Sequence, residues 1–231
     1  MVAGSEYLLT ETTPPEGYEI TFSPTTLRVT NAGELQVRGG SEGAYVWTDV
    51  KNNAYIVRDT QNSVTLNKVD ASGSALSGAT FTIAGMFAGA TATETRDLMT
   101  SGSTASFTGQ LVAGNTYTVT ETVPPAGYQT VAPFQVTMSE SGVLSAADGT
   151  ALPAGVTLEN NVITVNDAQN DVTFTKTDNQ IPAKNLAGAK FELSGVDGAT
   201  FAHATSPITW TTTDAAYDLS GQMVAGSEYL L

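Results

Sequence analysis

The chain has 231 residues, of which 41% are hydrophobic, enough to bury the core of one large domain or of two ordinary ones. Its formal net charge of -14, with only nine Lys and Arg residues, excludes nucleic acid as a partner, because too few cations are present to replace the counterions of a phosphate backbone. The absence of cysteine excludes disulfides, thiol catalysis and thiolate metal sites.

The residue pattern along the whole chain is typical of β-strands. Short runs rich in Thr, Val, Tyr and Phe alternate apolar with polar residues and are separated by Gly, Pro, Asn and Asp. The most apolar stretch, residues 81–90, is interrupted by Thr and Gly, so we expect neither a membrane span nor a signal peptide in this sequence. The single histidine, His203, has no second imidazole beside it, and we expect no metal site and no cofactor.

The first predicted strand places Tyr7, Leu9 and Glu11 on one face, because side chains two residues apart in a strand point the same way. A second strand, at residues 55–59, alternates in the same manner and ends in Asp59. We therefore expect one inward-pointing acidic residue at the end of each of these strands.

Three further strands follow in residues 63–171, and each ends in an ionisable residue in phase with its apolar face. Residues 64–68 end in Lys68, residues 117–121 in Glu121 and residues 163–167 in Asp167. Asn166 is an alternative to Asp167, but it is out of phase with the apolar residues. We therefore prefer Asp167 and expect all three side chains to point into a core.

The last ionisable position of this kind is Lys176, in phase with the apolar residues of the strand at residues 172–176. Lys176 corresponds to Lys68 in an internal repeat, in which Glu11 corresponds to Glu121 and Asp59 to Asp167. The letters MVAGSEYLL, residues 1–9, recur at residues 223–231, so the sequence begins again after 222 positions.

The repeats predict three parts. Residues 63–171 form a complete module, residues 172–231 form the front half of the next module, and residues 1–62 form the rear half of such a module, completed by the preceding repeat or by another chain. Each half alone lacks part of the lysine, glutamate and aspartate set. We therefore expect neighbouring repeats or subunits of the same protein to be its partners.

These motifs resemble those of the CnaB-type (collagen-adhesin B-region) domains of Gram-positive pilins and adhesins. The shared features are an early-strand Lys, an L-x-G-A-x-F segment, a Y-x-(V/L)-x-E-T-x-x-P-x-G-Y box and a last-strand acidic or amide residue. The resemblance spans almost the whole chain. It implies an all-β fold of tandem Greek-key, immunoglobulin-like or prealbumin-like, β-sandwiches stacked end to end.

The resemblance also implies a spontaneous isopeptide bond within each module. In the complete module Lys68 would be the nucleophile, Asp167 the acceptor and Glu121 the proton shuttle. In the other module Lys176, Asp59 and Glu11 would take these roles. The family more often has Asn at the acceptor position, so Asp changes the leaving molecule from ammonia to water. Burial disfavours charged forms, so that a neutral amine can face a protonated acid. The same three residues could instead form a buried salt-bridge network.

The function that these observations favour is a structural stalk repeat of a fibre or adhesin on a Gram-positive cell surface or cell wall. An adhesive module that binds a host ligand is the second hypothesis, and an exposed aromatic patch in one module only would favour it. Catalysis by Glu121 and Asp167 as an acid pair ranks last, because we expect both to be buried with no pocket. An export signal, a wall anchor and an adhesive tip are expected outside this sequence.

The cut module is expected not to close within one chain. Its two halves adjoin opposite ends of the complete module, which places Asp59 and Lys176 roughly 25–35 Å apart if strands run eight to ten residues. The partner of Lys176 is therefore predicted to be Asp59 of the following repeat or chain.

Overall fold

A computed structural model describes residues 1–99 and 102–231. Twenty strands and one 3-10 turn at Lys51–Asn53 make up the regular structure of these residues, which confirms the all-β prediction. None of the described residues forms a helix long and apolar enough to cross a bilayer. The strands are described below in three parts: the N-terminal segment (residues 1–62), the central segment (63–171) and the C-terminal segment (172–231).

The N-terminal segment contains one open sheet and a two-stranded ribbon. Its strands are β1 (Glu6–Leu9), β2 (Tyr18–Glu19), β3 (Thr25–Val29), β4 (Leu35–Gly39), β5 (Val46–Asp49) and β6 (Thr60–Gln61). The antiparallel sheet has the order β1-β3-β4-β5, and β2 pairs with β6. Leu27 is the buried hydrophobic residue of this sheet.

The central segment is a sandwich of two sheets. Its strands are β7 (Ser63–Val69), β8 (Thr80–Gly85), β9 (Glu94–Met99), β10 (Thr104–Thr108), β11 (Thr116–Val123), β12 (Phe134–Met138), β13 (Leu144–Ala146), β14 (Val156–Glu159) and β15 (Val162–Asn166). One sheet has the order β10-β7-β15-β14 and the other β13-β12-β11-β8-β9. Their inner faces enclose one large core that includes Leu66, Phe81, Phe87, Tyr117 and Ile163.

The C-terminal segment has shorter strands and a smaller core. It contains β16 (Thr173–Phe174), β17 (Lys190–Gly195), β18 (Ile208–Thr211), β19 (Tyr217–Asp218) and β20 (Tyr229–Leu230), arranged as β16-β19 and β18-β17-β20. Its buried core consists of Leu193, Phe201, Trp210 and Leu219. Four residues cannot enclose a sandwich core of the size seen in the central segment.

The three segments follow one another end to end, as the fold prediction stated. Strands β7 and β15 are parallel neighbours, so the chain enters the central segment at one end and leaves it at the other. At the entrance Asn62 accepts a hydrogen bond from Gly109 N (2.8 Å) and donates through Nδ2 to Leu111 O (2.6 Å). At the exit Asn170 makes the corresponding contacts with Gly221 and Met223.

A pair of glycines lies against each of these asparagines. A Cβ on Gly17 would lie 2.3 Å from Gly109 O, and one on Gly127 would lie 2.2 Å from Gly221 O. Both distances are far below van der Waals contact, so only glycine allows the backbones to approach this closely. The two junctions between segments are therefore built in the same way.

The structure corrects the strands predicted for the cut module. Residues 55–59 form no strand, β1 ends at Leu9 before it reaches Glu11, and Lys176 lies beyond the end of β16. In the central segment the last strand is held by its parallel pairing with the first strand, β7. In the repeat, residues 172–176 are equivalent to β7 and would be the strand that pairs with residues 55–59. Residues 172–176 lie at the far end of the molecule, so residues 55–59 cannot pair with them.

Candidate functional site

Lys68 points into the core because of strict alternation along β7. Val64, Leu66 and Lys68 are 2%, 0% and 0% exposed, whereas the residues between them are only half-buried. A fully buried lysine is rare, since removing an ammonium group from water is costly unless a partner compensates. The environment of this amine is therefore the strongest candidate for a functional site in the central segment.

The partner of Lys68 is Asp167, which directly follows β15. Val165 is the register partner of Lys68, so the next residue on the same face, Asp167, reaches the lysine side chain. Lys68 Nζ lies 2.7 Å from Asp167 Oδ1, and neither side chain is exposed. The amine also donates a hydrogen bond to Val165 O at 3.3 Å.

The alternative acceptor, Asn166, lies on the other face of β15. Its register partner is Val69, and like Val69 it is only half-buried. Asp167, in contrast, is 1% exposed. The geometry therefore brings Asp167, and not Asn166, against the amine.

Glu121 completes the cluster from the opposite sheet. It lies on β11 opposite Phe81, at a bulge, and is 5% exposed. Its Oε2 accepts a hydrogen bond from Val131 N at 2.9 Å, its Oε1 is buried with no N–H donor beside it among the described residues, and its carboxyl group lies within hydrogen-bond reach of that of Asp167. This second oxygen is available for proton exchange inside the core.

The electrostatics of the cluster favour protonated carboxyl groups. Burial, and then the nearby Asp167 carboxylate, raise the pKa of Glu121 from 4.5 to about 7, although the Val131 N–H and the Lys68 charge oppose the shift. Burial also raises the pKa of Asp167, against the opposing effect of its contacts with Lys68. Near neutral pH, Glu121 can therefore both donate and accept a proton.

An amine held against a carboxyl group in a dry core can form an amide. The fold holds the two groups in contact, and such positioning can lower a barrier by about 7–11 kcal/mol relative to the reaction between separate molecules. A carboxyl group with a pKa near 7 beside them is suited to general acid and base catalysis. The reaction requires the uncharged amine, which the transfer of the ammonium proton to the carboxyl pair supplies.

A cleft runs past this cluster, contrary to the expectation that no pocket would lie near it. It has a volume of about 550 Å³ and is lined by residues that include Val131, Gly155, Asn166 and Ala168. The loops after β11 and before β14 leave this space at the end of the sandwich. Because the Asp167 side chain is fully buried, the cleft reaches only its backbone. A substrate in the cleft would not touch the carboxyl groups.

The second predicted set is only partly brought together. Glu11 and Asp59 are half-buried neighbours in the N-terminal segment, and burial, followed by the Asp59 charge, raises the pKa of Glu11. Lys176 lies in the C-terminal segment, where its Nζ donates to Thr177 O at 3.0 Å. None of the three ion pairs among the described residues includes Lys176.

The sequence reasoning missed the role of the junction residues. Asn62 and Asn170 occupy equivalent positions in the two repeats, and Gly17 and Gly127 stand in equivalent Pro-x-Gly-Tyr motifs, a pattern that indicates turns but no contact between segments. Their side-chain and backbone contacts fix the position of each segment relative to the next. The only signal in the sequence was that the Gln-Asn pair and the Pro-x-Gly-Tyr motif occur twice.

Comparison with known proteins supports the fold of the central segment. Residues 62–151 match the family model of SpaA, a prealbumin-like fold domain. A comparison with curated proteins found no match.

Several solved structures are similar to this chain. The C-terminal fragment of the pilus adhesin SpaC from Lactobacillus rhamnosus GG is 21% identical, with a TM-score of 0.37 over 73% of this chain and 78% of that one. The pilus adhesin RrgA from Streptococcus pneumoniae is 19% identical, with a TM-score of 0.28 over 60% of this chain and 15% of that one. A mutant of the shaft pilin SpaA from Lactobacillus rhamnosus GG is 17% identical, with a TM-score of 0.28 over 73% of this chain and 84% of that one. What these comparisons establish is a prealbumin-like domain at residues 62–151.

Proposed function

We propose that this chain is a structural stalk repeat of a Gram-positive surface fibre or adhesin, located outside the cell and associated with the cell wall. Its central segment is a complete module, residues 63–171, and an autocatalytic amide between Lys68 and Asp167 cross-links its first and last strands. The observation that carries the proposal is the 2.7 Å contact between Lys68 Nζ and Asp167 Oδ1 in a core where neither side chain is exposed.

The chemistry balances as a single condensation. The uncharged amine of Lys68 attacks Cγ of Asp167, and a new C–N bond forms. Glu121 accepts the proton released by the nitrogen and returns one to a departing hydroxyl group, so that a C–O bond breaks and one water leaves. The product retains no active group, so each module reacts once and the protein is not an enzyme in the ordinary sense.

A salt-bridge network is a weaker interpretation of the same residues. A buried ion pair must recover the desolvation cost of both charges, and this requires further hydrogen bonds to the remaining polar atoms. Among the described residues Lys68 Nζ has two acceptors, Asp167 Oδ1 and Val165 O, which leaves the third N–H group of a charged ammonium unsatisfied. An amide removes the two charges and therefore removes most of this cost.

The adhesive alternative would be supported by an open aromatic patch in one module. The N-terminal segment does carry Trp47 and Tyr45, but Arg28 lies 4.1 Å above the first ring and Arg38 lies 4.4 Å above the second. A sugar that stacked on either of these faces would have to displace a guanidinium group. The cross-linked stalk therefore remains the better supported function.

Tryptic digestion under denaturing conditions tests the proposal. If Lys68 is an amide, trypsin cannot cleave after it, and residues 59–96 should be released joined to residues 97–176 as one branched peptide. Tandem mass spectrometry would locate the junction at Lys68 and Asp167. Recovery of the separate peptides 59–68 and 69–96 from the folded protein would overturn the cross-link.

A further inference from the structure

The pairing of β11 with β12 stops before it reaches Glu121. The last register pair between these strands joins Val119 to Phe134. The residue before Phe134 is Pro133, which has no N–H group with which to continue the ladder. On this side of β11, Glu121 is therefore flanked by the loop at residues 124–133 and not by a strand.

The middle of this loop is tied to the chain that directly follows the acceptor, Asp167. Tyr128 and Gln169 form an isolated antiparallel bridge. Three hydrogen bonds join the two stretches: Gln129 N to Ala168 O (3.0 Å), Asn170 N to Gly127 O (3.0 Å) and Gln129 Nε2 to Gln169 O (3.1 Å). The loop backbone is therefore fixed relative to the residues just beyond Asp167.

The N–H group of Val131 leaves this ladder and serves Glu121. In an extended antiparallel segment every second N–H points to the same side, so the next one after Gln129 belongs to Val131. At this point a cleft of about 550 Å³ opens between Val131 and Asn166. Val131 N donates instead to Glu121 Oε2 at 2.9 Å, and its side chain packs against the core of the central segment.

This hydrogen bond determines how the Glu121 carboxyl group is oriented. The last torsion of a glutamate side chain has only a broad energy minimum, so packing alone does not fix the plane of the carboxyl group. The bond to Oε2 fixes that plane and leaves Oε1 for proton exchange. Residues 129–131 thus connect the chain beyond Asp167 directly to the carboxyl group of Glu121.

We propose that the backbone N–H of Val131 is a positioning group for the amide reaction, and that it holds the Glu121 carboxyl group in the orientation toward Asp167 that proton transfer requires. Val131 touches neither of the atoms that form the new bond, so it acts through Glu121. The inference rests on the proposed function, since it concerns the reaction of Lys68 with Asp167.

A change in one backbone group tests this role. Replacing Val131 by the α-hydroxy acid with the same side chain puts an ester oxygen in place of the N–H. Chains assembled by chemical ligation in denaturant keep Lys68 unreacted until dilution starts folding, and mass spectrometry then follows the loss of one water with time. At pH 7 the Val131 ester should lose water about tenfold more slowly than the unmodified chain, because the general acid and base is poorly oriented.

The pH dependence of the rate gives a readout that a purely structural role would not change. The Val131 N–H stabilises the ionised form of Glu121, the form that accepts the proton released by the nitrogen, and so opposes the burial that raises the pKa of Glu121. In the ester the rate should reach half its maximum at a pH about one unit higher. The other ionisable groups that face Glu121, Asp167 and Lys68, are the same in both chains.

Two controls match the change. An ester at Gln129 removes the N–H that donates to Ala168 O, one of the three bonds that tie the loop, and does not touch Glu121. It should slow the reaction far less and leave the pH profile unchanged. Val131→Ala keeps the N–H but shortens the side chain, and it should react as fast as the unmodified chain. Circular dichroism should show the same folded β-structure in all four chains.

The outcomes separate this inference from the function on which it rests. If the unmodified chain loses water and the Val131 ester does so at the same rate and with the same pH profile, the positioning role is refuted and the cross-link stands. Equal slowing by the two esters, without a shift in the pH profile, would assign the effect to the order of the loop and would also overturn the inference. An unmodified chain that keeps its full mass after folding would refute the cross-linking function itself.

Discussion

Lys68 and Asp167 are held together by two parallel strands that are adjacent in the sheet although almost one hundred residues separate them in the sequence. Val165 is the register partner of Lys68, so Asp167 is the first residue beyond β15 that points to the same side. The contact of 2.7 Å therefore forms only when the first and last strands of the module have paired in this register. The proposed amide should consequently form after the sheet and not before it.

The first prediction concerns the mass of the intact protein. The folded chain should weigh one water less than its sequence, because the amide of Lys68 with Asp167 releases water. High-resolution mass spectrometry should give the full mass for Asp167→Ala and an unchanged water loss for Asn166→Ala, since Asn166 lies on the other face of β15. Loss of ammonia in place of water would instead identify Asn166 as the acceptor.

The second prediction concerns Glu121. Glu121→Gln keeps an oxygen that can accept the hydrogen bond from Val131 N but removes the acid and base function. The variant should fold with Lys68 unreacted, keep its full mass and melt at a lower temperature. By analogy with a disulfide that closes a loop of similar length, the missing cross-link should cost about 4.7 kcal/mol or less.

Glu94→Gln is the matched control, because Glu94 is exposed and pairs only with Arg96. It should show the same water loss as the unmodified chain. If Glu121→Gln formed the amide as fast as the unmodified chain does, Glu121 would have no part in proton transfer.

The third prediction concerns the pH dependence of stability in Lys68→Met, which cannot form the amide. The pKa of Glu121 is about 7 in the folded chain, above its ordinary value of 4.5, and loss of the lysine charge removes one of the effects that oppose this rise. Between these two pH values the Glu121 carboxyl group is ionised in the unfolded chain but stays protonated in the folded chain. The contribution of Glu121 to the free energy of unfolding should therefore fall as pH rises from 4.5 through 7.

Urea denaturation on either side of this pH window measures the effect. The double variant Lys68→Met, Glu121→Gln should show a clearly smaller decrease, because in the core of the central segment Asp167 is then the one carboxyl group that keeps a raised pKa. Stability of Lys68→Met that increases with pH across the window would contradict the burial of Glu121 as a protonated acid.

The fourth prediction concerns the junction between the central and C-terminal segments. Gly127→Ala should separate the two segments, because the new Cβ would lie 2.2 Å from Gly221 O. Gly149→Ala is the matched control: both glycines have positive φ, 86° and 75°, but a Cβ at Gly149 meets nothing within 4 Å. Small-angle X-ray scattering should show a more variable shape for Gly127→Ala only. Equal profiles for the two variants would mean that the junction does not depend on this contact.

Strand alternation was enough to predict where the ionisable residues of the complete module point. Each of the three ionisable residues is in phase with the apolar residues of its own strand: Lys68, Glu121 and Asp167. Once the strands pack as a sandwich, this phase alone places the three side chains in the core. Alternation places the side chains but does not predict a bond between them, so the CnaB-type identity and the amide itself stay predictions.

Alternation failed where a strand depends on a neighbour that is far away. Residues 55–59 have the same pattern as residues 163–167, yet only the latter lie beside a first strand. The junctions could not be predicted either, because the close approach of Gly17 to Gly109 joins two turns that are distant in sequence. A turn glycine and a glycine that permits such an approach look the same in a sequence.

The parallel arrangement of β7 and β15 decides how tension would pass through the module. Tension applied along the chain enters at Ser63 and leaves beyond Asp167. With the proposed amide in place, it would run along β7 to Lys68, through the amide to Asp167, and out into the next segment. Residues 69–166 would lie outside this path. Their fully extended length, on the order of 300 Å, could therefore not be pulled out of the module even if every hydrogen bond of the sandwich broke.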